Sequence, residues 1–225
     1  MSSPAIPDVI SVIGFAYLQP ISDLLERLLE KSISKAGPAG VSDHENGYSA
    51  ATILLLVALL ESFTARLRFV RKSEGVSGSL STPELLPKFF PALDIEDDLV
   101  EVCLVRNVLA HNHIWHMDVS DFPAVGAPTL ATPKELGFHT NKEYEHVVDV
   151  SIRRTRKLSL NVTPTLVDRS DVRKVFKVVW STLEFMHAAD FRHTPLAGRT
   201  VRFQGQRRQF EALLDEFESE GGDAL

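Results

Sequence analysis

Apolar residues recur at helical spacing over much of the chain, with turn-forming residues between the runs. Between Asp8 and Ser34, Ile21, Leu24, Leu25, Leu28 and Leu29 follow the i, i+3, i+4 pattern of a helix with one buried face, and Pro20 is expected to split that segment. Gly37-Pro38-Ala39-Gly40 marks a loop. From Tyr48 to Lys72 a long helix is predicted, apolar on nearly all sides up to Leu60 and then amphipathic through Phe63, Leu67 and Val70. Its first half belongs in the core. Pro83, Pro87 and Pro91 predict a broken stretch of short turns, after which a helix begins near Asp94. Asp94, Glu96, Asp97 and Asp98 suit its positive end, and Leu99, Val102, Cys103 and Val105 follow them.

Beyond His116 the pattern changes. Pro123, Gly126, Pro128, Pro133 and Gly137 predict a long irregular loop, of a kind often functional in an otherwise compact domain. His146–Val150 and Lys157–Val162 alternate polar and apolar residues, which predicts a β-hairpin with a basic connection. Asp168 or Ser170 then caps a last core helix reaching about Ala189, with Val172, Val175, Phe176, Val179, Leu183 and Met186 on one face. The fold class is therefore mainly α with a β-hairpin. Three stretches are expected: an N-terminal helical segment packing on the core (1–45), a central domain (46–192), and a basic link with a short C-terminal helix over Gln209–Glu218 (193–225).

Composition narrows the function classes. With 44% hydrophobic and 24% charged residues the chain is of ordinary globular type. The net charge of −6 argues against extensive, non-specific grip on duplex nucleic acid. Basic clusters remain at Arg66, Arg68, Arg71 and Lys72, at Arg153, Arg154, Arg156 and Lys157, and at Arg199, Arg202, Arg207 and Arg208. The ordinary role of each such cluster is a solvated face. The one cysteine, Cys103, excludes an intramolecular disulfide and a four-thiolate metal site. No cofactor or metal is expected. The Met1-Ser2-Ser3-Pro4 start lacks a basic region, and the unbroken apolar run Ile53–Leu60 falls short of the roughly 20 residues of a spanning helix, so a cytoplasmic location without a membrane is expected. Dinucleotide, phosphate-loop, zinc-protease and serine-hydrolase signatures do not occur.

The chemistry concentrates in Arg106-Asn107-Val108-Leu109-Ala110-His111, where three polar residues interrupt an apolar helix. Metal-free RNA cleavage uses the ribose 2′-hydroxyl as nucleophile, so it needs a group that moves a proton near neutral pH, a task suited to His111. Negative charge builds on the phosphorus oxygens, and the planar guanidinium of Arg106 can clamp it. Asn107, one turn before His111, can orient the imidazole or donate to phosphate. The expected products are a 2′,3′-cyclic phosphate and a 5′-hydroxyl. On an ideal helix Arg106 and His111 diverge by about 140°. They converge only if the helix ends or distorts near Ala110, or if a second copy supplies one of them.

The segment resembles the R-N-x-x-x-H motif of the HEPN (higher eukaryotes and prokaryotes nucleotide-binding) family, and the likeness covers roughly Tyr48 to Ala189. What the resemblance implies is an up-and-down helical bundle, a homodimer whose two motifs face each other, and an endoribonuclease acting on single-stranded RNA, tRNA or mRNA. It also implies a toxin or antiviral-defence setting with a cognate antitoxin or regulatory protein. Glu61 and Ser62 stand where several members carry a polar residue that contacts the motif arginine. Toxin members often have a tyrosine two residues after the histidine; this chain has His113, so regulation through that tyrosine is not implied.

Other readings stand beside this one. His111, His113 and His116 are spaced to hold zinc, yet only Asp118 offers a nearby carboxylate. Trp115 can stack on a base or simply pack, and the Arg153, Arg154, Arg156 and Lys157 cluster can track RNA. Arg106 can instead be structural, paired to Glu101 of its own helix. A non-catalytic module binding nucleotide, RNA or protein, and a purely structural dimerisation domain, are the alternatives to the nuclease.

Overall fold

A computed structural model describes residues 13–32, 40–71, 80–111, 134, 138–189 and 199–219, with the side chains of 111, 141, 218 and 219 left out. The described chain is mainly helical, with two small antiparallel sheets. A 3-10 turn, Ile13–Tyr17, leads into α1, Leu18–Leu29. Pro20 does not split this helix, because it stands in the first turn, where an amide donor has no intrahelical partner.

α2, Asp43–Val70, starts earlier than the apolar run suggests. Ser42 Oγ accepts from the Glu45 amide, and Asp43 and Glu45 lie in the first turn, where the helix dipole favours them. This 28-residue helix is long and apolar enough by composition to cross a membrane, beyond what the Ile53–Leu60 run alone indicated. Half of its most apolar window is buried within the protein. Ile53, Leu56, Leu60, Phe63 and Leu67 are all fully covered, and α2 packs on α1, α4 and α6.

The proline-rich stretch forms α3, Thr82–Phe89, rather than broken turns. Pro83 sits in the first turn, and the Glu84 carboxylate accepts from the Ser81 amide at 2.7 Å. α4, Glu96–His111, has a hydrophobic pattern with little sidedness because it is covered on two sides. Leu99, Val102 and Val105 enter the main core, whereas Leu104 and Val108 meet Tyr144, Val148 and Val162 in a second cluster. A half-buried stripe remains between them: Cys103, Arg106, Asn107 and Ala110.

The hairpin expected at 146–162 is shorter and shifted. Residues from Asn141 to Val147 form α5, capped by a Thr140/Glu143 box, so His146 is helical. Strand β1 is Val148–Asp149 and β2 is Arg154–Thr155, paired antiparallel. Lys157–Val162 is not the second strand; the chain turns again, and Asn161 bridges back to Arg154. Alternation at 157–162 reflects a winding segment in which Leu160 and Val162 are buried. α6, Arg169–Ala189, matches the expected last core helix.

The C-terminal stretch, read as a basic link and helix, holds a second hairpin, β3 (Thr200–Phe203) with β4 (Gln206–Gln209). Gln204 and Gly205 both have positive φ, the requirement of a two-residue type I′ turn. A 3-10 turn, Glu211–Leu214, and a short α7, Glu216–Ser219, follow. One core cluster runs from Leu18 and Leu25 through α2 and α6 to Phe203, Phe210 and Phe217. Trp180 and Phe176 of α6 clamp Phe210 at ring distances of 5.5 and 5.1 Å.

Candidate functional site

α2 and α4 lie against each other, and Arg106 from one meets Glu61 from the other. Arg106 Nη2 donates to the Glu61 carboxylate, and both side chains stay partly open, 27% and 39% exposed. This corrects the intrahelical pairing considered for Arg106. Glu101 is buried and faces elsewhere, accepting from the amides of Lys157 and Leu158 at 2.7 Å each. Five residues separate it from Arg106, which turns the two positions about 140° apart around α4. The guanidinium Nε of Arg106 is buried and finds no acceptor among the described residues.

Glu61 also lines an open groove of about 490 Å³ between α2 and the Ile13–Tyr17 turn, together with Tyr17, Ala58, Ser62, Arg66 and Phe69. The turn is pinned there: the Gly14 amide donates to Ser62 Oγ at 2.8 Å, and Phe15 meets Phe63 edge-on at 5.2 Å. A Cβ on Gly14 would stand 3.2 Å from both Ser62 and Leu59, so glycine permits the close approach. Ser62 thus fastens the N-terminal turn and does not touch Arg106. Tyr17 and Arg66 were not singled out for this site from sequence. Nothing in their local pattern reports a groove formed by elements far apart in the sequence.

Cys103 stands one turn before Arg106 and Asn107. Burial pushes its thiol up to about 12, against the pull of the Arg106 guanidinium in the other direction. Such a thiol is protonated and inert at neutral pH, which agrees with its reading as a small hydrophobe.

α4 is continuous through His111. Within one chain, therefore, the backbone carries the Arg106 and His111 positions about 140° apart around the axis. Asn107 is half-buried on the Arg106 side. The other motif-linked candidates, His113 and Trp115, lie outside the described residues, as does the remainder of the histidine cluster. Among the described residues, no group of three or more His, Cys, Asp or Glu side chains is placed to hold a metal.

The Arg153–Lys157 cluster does not reach Arg106. Arg154 donates to the Ser159 carbonyl, Arg156 to the Glu145 carbonyl at 2.8 Å, and Lys157 pairs with Asp98 at 3.0 Å. Arg153 has φ of 53°, and its carbonyl accepts from the Val162 amide. Arg156 and Lys157 line the α5 side of α4 with Glu101, and of the cluster Lys157 is the member paired with a carboxylate among the described residues.

A second ion pair, unmarked by any motif, lies at the opposite end of α2. Glu45 and Arg169 are buried, and Arg169 donates to the Glu45 carboxylate from its backbone N, from Nε and from Nη2. Nη2 also donates to the carbonyls of Leu28 and Lys31, closing the end of α1. The pair ties the ends of three helices together, its donors shared between the Glu45 carboxylate and the α1 carbonyls.

Compared with protein-family models, curated proteins and solved structures, the chain matches none of them.

Proposed function

We propose that this protein is a metal-independent endoribonuclease of HEPN type, a homodimer whose single cleft is built from two copies of Arg106, Asn107 and His111. The observation that carries this reading is the state of Arg106: a partly exposed arginine side chain on α4, paired with a Glu61 of α2 that is itself partly exposed. An arginine with a structural job alone would resemble Arg169, buried with its donors consumed. The up-and-down bundle and the hairpin between α5 and α6 are read in the same terms.

The division of labour follows from chemistry. One His111 imidazole takes the proton of the ribose 2′-hydroxyl as that oxygen forms its bond to phosphorus. The bond from phosphorus to the 5′-oxygen breaks, and the second, protonated His111 supplies the proton that the leaving oxygen needs. Arg106 binds the non-bridging oxygens, whose charge grows in the transition state. Because one continuous α4 directs Arg106 and His111 apart, the second copy supplies the missing partner.

In a test, purified protein is incubated with a labelled single-stranded RNA in EDTA. Fragments ending in a 2′,3′-cyclic phosphate are expected from wild type, and none from His111→Ala at unchanged melting temperature. Intact RNA with folded, dimeric wild-type protein would sink the nuclease. A second reading, a non-catalytic binding module, draws on the Glu61 carboxylate, which occupies the guanidinium that phosphate would need. On that reading Glu61→Gln tightens RNA or nucleotide binding and no cleavage accompanies it.

A further inference from the structure

The hairpin of β3 and β4 carries two arginines in an arrangement that the fold does not neutralise. Arg202 and Arg207 are direct cross-strand partners, on the same face as Thr200 and Gln209, and both are exposed. Like charges placed directly opposite in a ladder are unfavourable. Register cannot slip to relieve them. The Gln204-Gly205 turn fixes it, Glu26 Oε2 accepts from the Gln204 amide at 2.8 Å, and the Gln19 carboxamide both donates to the Arg202 carbonyl and accepts from its amide.

On α1, Asp23 accepts from Gln19 and Glu26 from the turn, and neither forms an ion pair with Arg202 or Arg207. Among the described residues Arg202 has no acidic partner. Arg207 donates from Nε to Thr200 Oγ1, which aims its guanidinium and leaves the terminal nitrogens for another acceptor. Between them opens a cleft of about 510 Å³, lined by Gln19, Thr200, Val201, Arg202, Gly205 and Arg207.

We infer that this arginine pair grips the phosphodiester backbone of single-stranded RNA, outside the cleavage centre. The inference rests on the RNA reading above and assigns it a second contact. Two guanidinium forks side by side match the non-bridging oxygens of a phosphodiester, and an anion between them offsets their repulsion. A few such contacts suit a protein of net charge −6 that is not built to cover a duplex. The pair is also linked to the motif through a chain of contacts. Arg199, just before β3, lies over the Phe15 ring at 3.7 Å; Phe15 packs on Phe63, and Gly14 bonds Ser62, the neighbour of Glu61.

The test separates gripping from cutting by using His111→Ala as the background. Fluorescence anisotropy of a 5′-labelled single-stranded RNA is measured against salt for that variant and for the same variant carrying R202Q and R207Q. Loss of two phosphate contacts should weaken binding about tenfold or more and flatten the slope of log Kd against log salt by about 1.4, from roughly 0.7 per contact on single strands. R202K with R207K, which keeps both charges, should retain most of that slope. It also serves as the comparison should the glutamine variant lose its melting transition.

Unchanged affinity and slope in the glutamine variant would overturn the inference even if wild type cuts RNA. Arginine-dependent binding without cutting would uphold it while the nuclease fails.

Discussion

Two glutamates on α2 each meet an arginine from a later helix, and the two pairs differ in nearly every other respect. Glu45 with Arg169 is dry, with side-chain exposures of 3% and 6% and with backbone carbonyls taking the remaining donors. Glu61 with Arg106 is open at 39% and 27%, and among the described residues it has one hydrogen bond and leaves the Arg106 Nε without an acceptor. A buried pair gives up solvation and must be satisfied internally, whereas a half-open one keeps capacity for a ligand. The same two residue types thus mark an anchor at one end of the helix and a candidate working site towards the other.

Breaking the anchor should have the largest effect. Glu45→Gln leaves the Arg169 charge buried without its counter-ion and is expected to cost about 3–5 kcal/mol in urea unfolding. An unchanged midpoint would mean that the anchor is no anchor. Arg106→Ala should invert that outcome. Cleavage is expected to fall by about 10²–10³-fold, as for loss of one transition-state donor, while stability shifts by less than about 1 kcal/mol because the pair is partly solvated. Equal damage to folding and cutting would erase the distinction between the two pairs.

The third expected effect is smaller and depends on pH. Cys103, beside the open pair, holds its proton to about 12 in the folded state against an ordinary value of 9.0. Between those values the folded chain binds a proton that the unfolded chain has lost, so stability falls as pH rises from about 9. The loss approaches about 1.4 kcal/mol at pH 10 and is absent at pH 7.5. Tyr144 is also raised by burial and adds to the fall above pH 10. Urea titrations at pH 7.5 and 10 on wild type and Cys103→Ala check this: the difference between the two pH values should shrink in the variant. A difference of the same size in both proteins would remove Cys103 from the account.

Long helices were legible because burial on one face leaves a period in the sequence. The run from Ile53 to Leu67 and the face from Val172 to Met186 both proved to be core, and Arg106 was marked by its polarity within an apolar stretch. Elements fixed by distant partners were not legible. Val201 and Phe203 show little as a strand until α1 and its Gln19, more than 180 residues earlier, hold them. The Lys157–Val162 alternation looked like a strand, but Glu101 takes the amides of Lys157 and Leu158, which a ladder would have used. The Arg106–Glu61 contact spans 45 positions, so sequence spacing pointed to Glu101 and only the family likeness drew attention to Glu61.

Glu45 and Glu61 are sixteen positions apart on one uninterrupted helix, which places them about 24 Å apart along its axis and about 160° apart around it. α2 consequently behaves as a rod clamped at its tip. It can neither slide nor roll to retune the open end without tearing the clamp, so a ligand is admitted at the guanidinium by the half-open side chains of Glu61 and Arg106 and not by a shift of α2.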